Sequence, residues 1–156
     1  EDIEDRMRMV GIVNEIGGES GFAWFGRHLM LVGGHEARGD KILTSPMYRD
    51  YGYGDDTIDY SIERVQEVLG MLSRQIASQK AVGSSYLVGD ALTAADIYWA
   101  FFSQLLQALP PEDNPMPDGL RGAWGQVARA LEDYDSRLIE QRDFIFANHI
   151  TLPLDF

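Results

Sequence analysis

Between Ile58 and Ile76, six aliphatic residues (Ile58, Ile62, Val65, Leu69, Leu72 and Ile76) follow one another at intervals of four, three, four, three and four. A helix of 3.6 residues per turn gathers such a set into one apolar stripe, whereas a strand would scatter it over two faces. An amphipathic helix draws most of its stability from whatever covers that stripe, so the rest of the chain must supply further helices.

The flanking sequence offers them. Ile3, Met7, Val10, Val13 and Ile16 recur every three or four positions and predict one buried helix face. Gly17, Gly18 and Gly21 should bend or break that helix near Gly17, because each glycine costs about 1 kcal/mol relative to alanine in a helix interior. The apolar pattern resumes through Phe22, Trp24, Phe25, Leu29 and Leu31 and stops at Gly33 and Gly34. Residues 37–56, with Gly39, Pro46, Gly52, Gly54 and a cluster of Tyr48, Tyr51 and Tyr53 without helical period, read as a long connecting loop.

Further on, Thr93 and Asp96 stand three apart in front of an apolar run from Ile97 to Leu109. This is the pattern of a reciprocal N-terminal cap, with Leu92 and Ile97 at staple positions and Asp in place of the usual Glu. The run is apolar on more than one face, which predicts a central helix covered on several sides, ended by Pro110 and Pro111. Asp118 can cap a helix bearing Leu120, Trp124, Val127 and Leu131, and a last helix bears Leu138, Ile139 and Ile145. No alternating segment supports a sheet, and there is no internal repeat. The expected fold class is all-α: one domain over residues 1–156, a bundle of about five to six helices. Helices are expected at about 2–36, 57–80, 93–109, 119–133 and 135–147, with an apolar tail at 150–156 that packs back on the body.

Composition narrows the function. Of 156 residues 45% are hydrophobic, enough for a substantial core, and there is no cysteine, so neither disulfides nor thiolate chemistry can arise within this chain. Thirteen basic residues against 25 acidic ones give a formal charge of −12, a field that repels nucleic-acid phosphates and anionic membranes. No run approaches the ~20 apolar residues needed to cross a bilayer. Neither a nucleic-acid nor a membrane partner is expected, and cytoplasmic localisation is the default. A chain that begins at Glu1 also suits a piece of something longer.

The stretch Tyr86–Ala100, "YLVGDALTAADIYWA", resembles the start of the sixth helix of cytosolic glutathione transferases: an apolar-Gly-Asp loop, then Ser or Thr, two small residues, and a cap-closing Asp. The order of the other helices agrees, and the ending "RDFIFANHITLPLDF" is similar to the tail of bacterial members. The resemblance implies the C-terminal all-helical domain of a glutathione S-transferase. It further implies that glutathione binding and catalysis reside in an N-terminal thioredoxin-like domain that this sequence does not contain. What such a domain contributes is the wall of a pocket for a hydrophobic electrophile and part of a homodimer interface. No cofactor is expected in the chain itself; glutathione is the co-substrate of the full-length relatives. The other reading is a non-catalytic assembly module of the same helical fold.

On this reading Phe22, Trp24, Arg27 and His28, on the distal part of the first helical unit, face the co-substrate pocket, and Tyr51 on the long loop helps to close it. Thr93 and Asp96 serve as a structural cap, and no residue is assigned to catalysis. His28 and His35, seven apart, are separated by about 10 Å along a helix and cannot share a metal, so no metal site is expected. Asp55, Asp56 and Asp59 lack calcium-loop spacing and read as charges at the positive end of the next helix. The Gly17, Gly18 and Gly21 group is expected to allow close approach of helices in the dimer.

Overall fold

In the computed structural model, residues 2–131 and 133–155 are described; Glu1, Glu132, Phe156 and the side chain of Asp55 lie outside the described part. Seven α-helices occur among these residues and no strand: α1 (Ile3–Gly17), α2 (Phe22–Arg38), α3 (Pro46–Asp50), α4 (Ile58–Ala81), α5 (Ala94–Phe102), α6 (Asp118–Ala130) and α7 (Arg137–His149). Helix α2 packs on α4 and α6, α1 on α5, and α7 on both α4 and α5.

The first helical unit is broken at residues 18–21. Ser20 takes a left-handed φ of 64°, and the Gly18 N–H returns to the Asn14 carbonyl at 2.8 Å. A Cβ on Gly21 would stand 2.5 Å from the Glu15 carbonyl oxygen, so only glycine lets the chain turn this tightly. Gly17 lies against the Tyr98 and Phe102 rings of α5. These glycines therefore serve close contacts within the chain.

The stripe on α1 also needs correction. Ile12 and Ile16 are buried, but Ile3, Met7 and Val10 are 65%, 70% and 55% exposed. The core takes the neighbouring stripe, with Met9 and Val13 packed beside Ile12 and Ile16. Periodicity identifies an apolar face without saying which of two adjacent faces the chain itself covers.

The α4 stripe behaves as its spacing predicts. Val65, Leu69, Leu72 and Ile76 are at most 4% exposed, while Ile58 and Ile62 pack at the edge of the same core. At the centre Trp99 is fully buried against Phe22, with ring centroids 5.6 Å apart, and its Nε1–H donates to the Leu138 carbonyl at 2.9 Å. That bond satisfies the one polar atom an indole brings into a core.

Helix α5 starts at its cap. The Thr93 N–H and the Thr93 hydroxyl both donate to Asp96 Oδ2, at 2.9 and 2.8 Å, and the Leu87 N–H donates to Oδ1 at 2.7 Å. The return contact, from the Asp96 N–H towards the Thr93 side chain, completes the capping box with looser geometry. The helix is shorter than its apolar run suggests. It ends at Phe102 and tightens into a 3₁₀ turn over Ser103–Leu105, where the Ser103 hydroxyl donates to the Ala100 carbonyl at 3.0 Å and competes with the helical ladder. One face is also left open, with Ile97, Tyr98 and Phe101 39%, 41% and 40% exposed.

The long loop has structure of its own: a 3₁₀ turn over Asp40–Thr44, α3 begun by Pro46, and a 3₁₀ turn over Asp55–Thr57. Buried Tyr48 anchors it by donating to the Leu31 carbonyl at 2.8 Å. Asp118 is the first residue of α6 rather than its cap, a position taken by Pro117. The tail folds back as predicted over its described residues, with Leu152 and Leu154 packed against Ile145 and Phe146 and the Leu154 N–H donating to the Asp113 carbonyl at 2.8 Å.

Candidate functional site

Helix α2 carries Ala23, Arg27, Met30 and Leu31 on one face, by the same three-and-four spacing that builds the core on the other. This second face looks onto a cavity of about 390 Å³, at the lower end of the range of small-molecule sites. Opposite lie Phe101 and Phe102 from α5, and Gln104 and Leu105 from the turn after it. Trp124 of α6, Asn114 of the proline-rich connection, and Leu154 and Asp155 of the tail complete the wall, with Met47 and Tyr51 at the α3 side. Aromatic and aliphatic carbons dominate this surface, interrupted by a few fixed polar groups.

Arg27 and Tyr51 stand together in this lining. The guanidinium carbon of Arg27 lies 5.0 Å from the Tyr51 ring centroid, within cation–π range. Trp24 meets the same ring edge-on at 5.1 Å without itself lining the cavity. His28 is buried behind the wall rather than exposed in it. Its Nε2 lies 2.7 Å from the Tyr51 carbonyl, which can only accept, so that nitrogen carries the hydrogen. Its Nδ1 lies 3.0 Å from the Ser61 hydroxyl of α4, which in turn donates to the Thr57 carbonyl at 2.7 Å. His28 thus holds the backbone of Tyr51 against α2 and α4. Phe22 lies in the core against Trp99 and does not reach the cavity.

Of the five residues named from sequence for ligand contact, Arg27 and Tyr51 line the cavity, His28 and Trp24 brace Tyr51, and Phe22 packs inside. The missed residues on α2 had a signal: stepping from Arg27 by three or four gives Ala23, Met30 and Leu31. Asn114 and Gln104 had none, because their placement depends on how the chain folds after α5.

The polar groups of the wall are rigidly held. Gln104 Oε1 accepts from Asn114 Nδ2 at 2.7 Å and from the Leu109 N–H at 3.4 Å. Arg121 of α6 donates to the Leu109 carbonyl at 2.7 Å and to the Asn114 carbonyl at 2.5 Å, tying the proline-rich connection to the helix beneath it. Farther off, burial raises the phenol of Tyr48 above its usual range. No group of His, Asp or Glu able to hold a metal ion occurs among the described residues, and none of their helices is long and apolar enough to cross a membrane.

Comparison with curated proteins and with solved structures gives no match. The family model of the glutathione S-transferase C-terminal domain matches residues 38–116, a stretch that begins at the last residue of α2 and runs past Asn114. It contains α3, α4 and α5, the Thr93–Asp96 cap and half of the cavity wall. With the all-helical architecture and this match over half its length, the chain belongs to the glutathione S-transferase C-terminal domain family.

Proposed function

We propose that this chain forms the co-substrate side of a glutathione-dependent transferase, with the cavity between α2, α5 and α6 as the seat of a hydrophobic electrophile. The observation that carries this reading is the cavity itself: an apolar, aromatic-walled space of about 390 Å³ with Arg27 and Tyr51 together in its lining. Glutathione binding and activation of its thiol belong to a thioredoxin-like domain of the kind that full-length members carry ahead of the helical region. The helical chain contributes shape and burial, which select an apolar reactant and hold it; the nucleophile comes from elsewhere.

The exposed stripe of Ile3, Met7 and Val10 on α1 supports a second role as part of a homodimer contact, since a contiguous apolar face left open on a helix marks an association surface. The same stripe would serve an assembly module, the alternative reading, but the aromatic-walled cavity favours the transferase. Incubating chlorodinitrobenzene and glutathione with the chain alone, and with the chain joined to a thioredoxin-like domain, separates the two. The proposal expects thioether formation only in the joined form. Conjugation by the chain alone, at a rate above the spontaneous one, overturns the assignment of chemistry to the other domain.

A further inference from the structure

Asn114 lies in the cavity wall and is 1% exposed. Most of its polar atoms are committed. The backbone N–H donates to the Pro110 carbonyl at 2.9 Å, and the carbonyl accepts from the Met116 N–H at 2.8 Å and from Arg121 Nη2 at 2.5 Å. The side-chain nitrogen donates to Gln104 Oε1 at 2.7 Å. Because that same Gln104 oxygen also accepts a backbone N–H, from Leu109, it is the oxygen of Gln104 that faces Asn114, and the Asn114 atom facing it must be the amide nitrogen. This orientation isolates one atom: Asn114 Oδ1 is buried and has no hydrogen-bond partner among the described residues. Buried acceptors are almost always satisfied in folded proteins, and one left over on a residue of the cavity wall marks a place for a donor that arrives from outside.

We infer that the cavity takes an aromatic or alicyclic molecule bearing a single O–H or N–H group, of the phenol, aniline or indole class, whose hydrogen is accepted by Asn114 Oδ1. The inference rests on the proposed reading of the cavity as an apolar-ligand site and adds the polar handle that orients the ligand. Phe101, Phe102, Leu105 and Trp124 supply the apolar walls, and a ring placed against them brings only its one polar substituent into contact with the amide. Gln104 holds that amide, and Arg121 the backbone carbonyl of the same residue, in place beforehand, so little ordering is needed on binding. A molecule of the same shape without the donor leaves Oδ1 unsatisfied, and discrimination by a site built around a hydrogen bond is large for this reason.

Calorimetric titration with naphthol and with methoxynaphthalene, which has a similar shape but no donor, tests this on the unaltered protein. Naphthol should bind about tenfold more tightly or better, the difference expected of one buried hydrogen bond. In Asn114→Leu, shown by circular dichroism to remain helical, the preference should vanish while methoxynaphthalene still binds. Equal affinity of the two compounds for the unaltered protein overturns the inference and leaves the apolar-ligand reading intact; binding of neither overturns both. A preference that survives in folded Asn114→Leu contradicts the assignment to Asn114. Should Asn114→Leu not fold, the side-chain amide resonances of Asn114 decide: they should shift with naphthol and not with methoxynaphthalene, and identical responses overturn the inference.

Discussion

The carboxylate of Asp96, buried at the start of α5, gathers the Leu87 N–H, the Thr93 N–H and the Thr93 hydroxyl onto its two oxygens. Removing it leaves two backbone donors without acceptors in the interior, each costing about 1–3 kcal/mol, whereas removing the Thr93 hydroxyl costs about 1 kcal/mol, as lost caps do. Urea unfolding should therefore rank Asp96→Ala as the more damaging change, by roughly 2 kcal/mol or more. Equal losses would mean that the carboxylate acts only as a helix cap and not as the tie to the loop at Leu87. Asp135 behaves differently, as a charge partner. Hydrogen bonds from Arg137 and Ser73 hold its carboxyl well below the usual carboxylate range. Its folded-state pKa is depressed, so the stabilisation is fully present above the unfolded value of about 3.9 and is lost as pH falls below it. Asp135→Asn should flatten the acid side of the stability profile below about pH 4; an unchanged acid limb in that variant contradicts the ion pair's contribution.

Among the elements, glycine separates positions that need it from positions that do not. Gly11, in the exposed middle of α1, has nothing within 4 Å of a would-be Cβ, so Gly11→Ala should raise stability by up to about 1 kcal/mol through helix propensity. A Cβ on Gly34 of α2 would stand 2.2 Å from the Tyr48 hydroxyl, which is fixed on the Leu31 carbonyl. Gly34→Ala should lower stability by about 1–3 kcal/mol as α3 is pushed off α2, and thermal melts of both variants should move in opposite directions; a rise for both contradicts the packing of Tyr48. Sequence pattern located α4, α6 and α7 to within a few residues, because each has one apolar stripe and one neighbouring surface to put it on. It misjudged the buried face of α1 because Met9, Ile12, Val13 and Ile16 offer a second stripe beside Ile3, Met7 and Val10, and only the position of α5 decides between them. The early end of α5 at Phe102 turns on the Ser103 hydroxyl bonding back to the Ala100 carbonyl, a local choice that hydropathy does not register. In the candidate site, Arg27 and Tyr51 were visible as a cation and an aromatic on a helix face and its adjoining loop. Asn114 was not, since a buried amide in a proline-rich connection looks like any turn residue until Arg121 and Gln104 are seen to fix it.

For the molecule as a whole, two surfaces of α2 do different work. One buries Phe22, Phe25 and Leu29 in the core shared with α4, and the other, through Ala23 and Arg27, forms a wall of the cavity. The bundle is thus a frame that keeps an apolar space open beside a cation and a buried amide, in a chain of formal net charge −12. Nuclear magnetic resonance tests whether that frame holds a ligand. Titration of the isotope-labelled chain with dinitrobenzene, an unreactive relative of the aromatic electrophiles, should shift the resonances of Ala23, Arg27, Leu105 and the Trp124 indole together, along one saturable curve. Saturable shifts confined to Ile3, Met7 and Val10 on α1, or no saturable shifts at all, would contradict the assignment of the cavity as the ligand site.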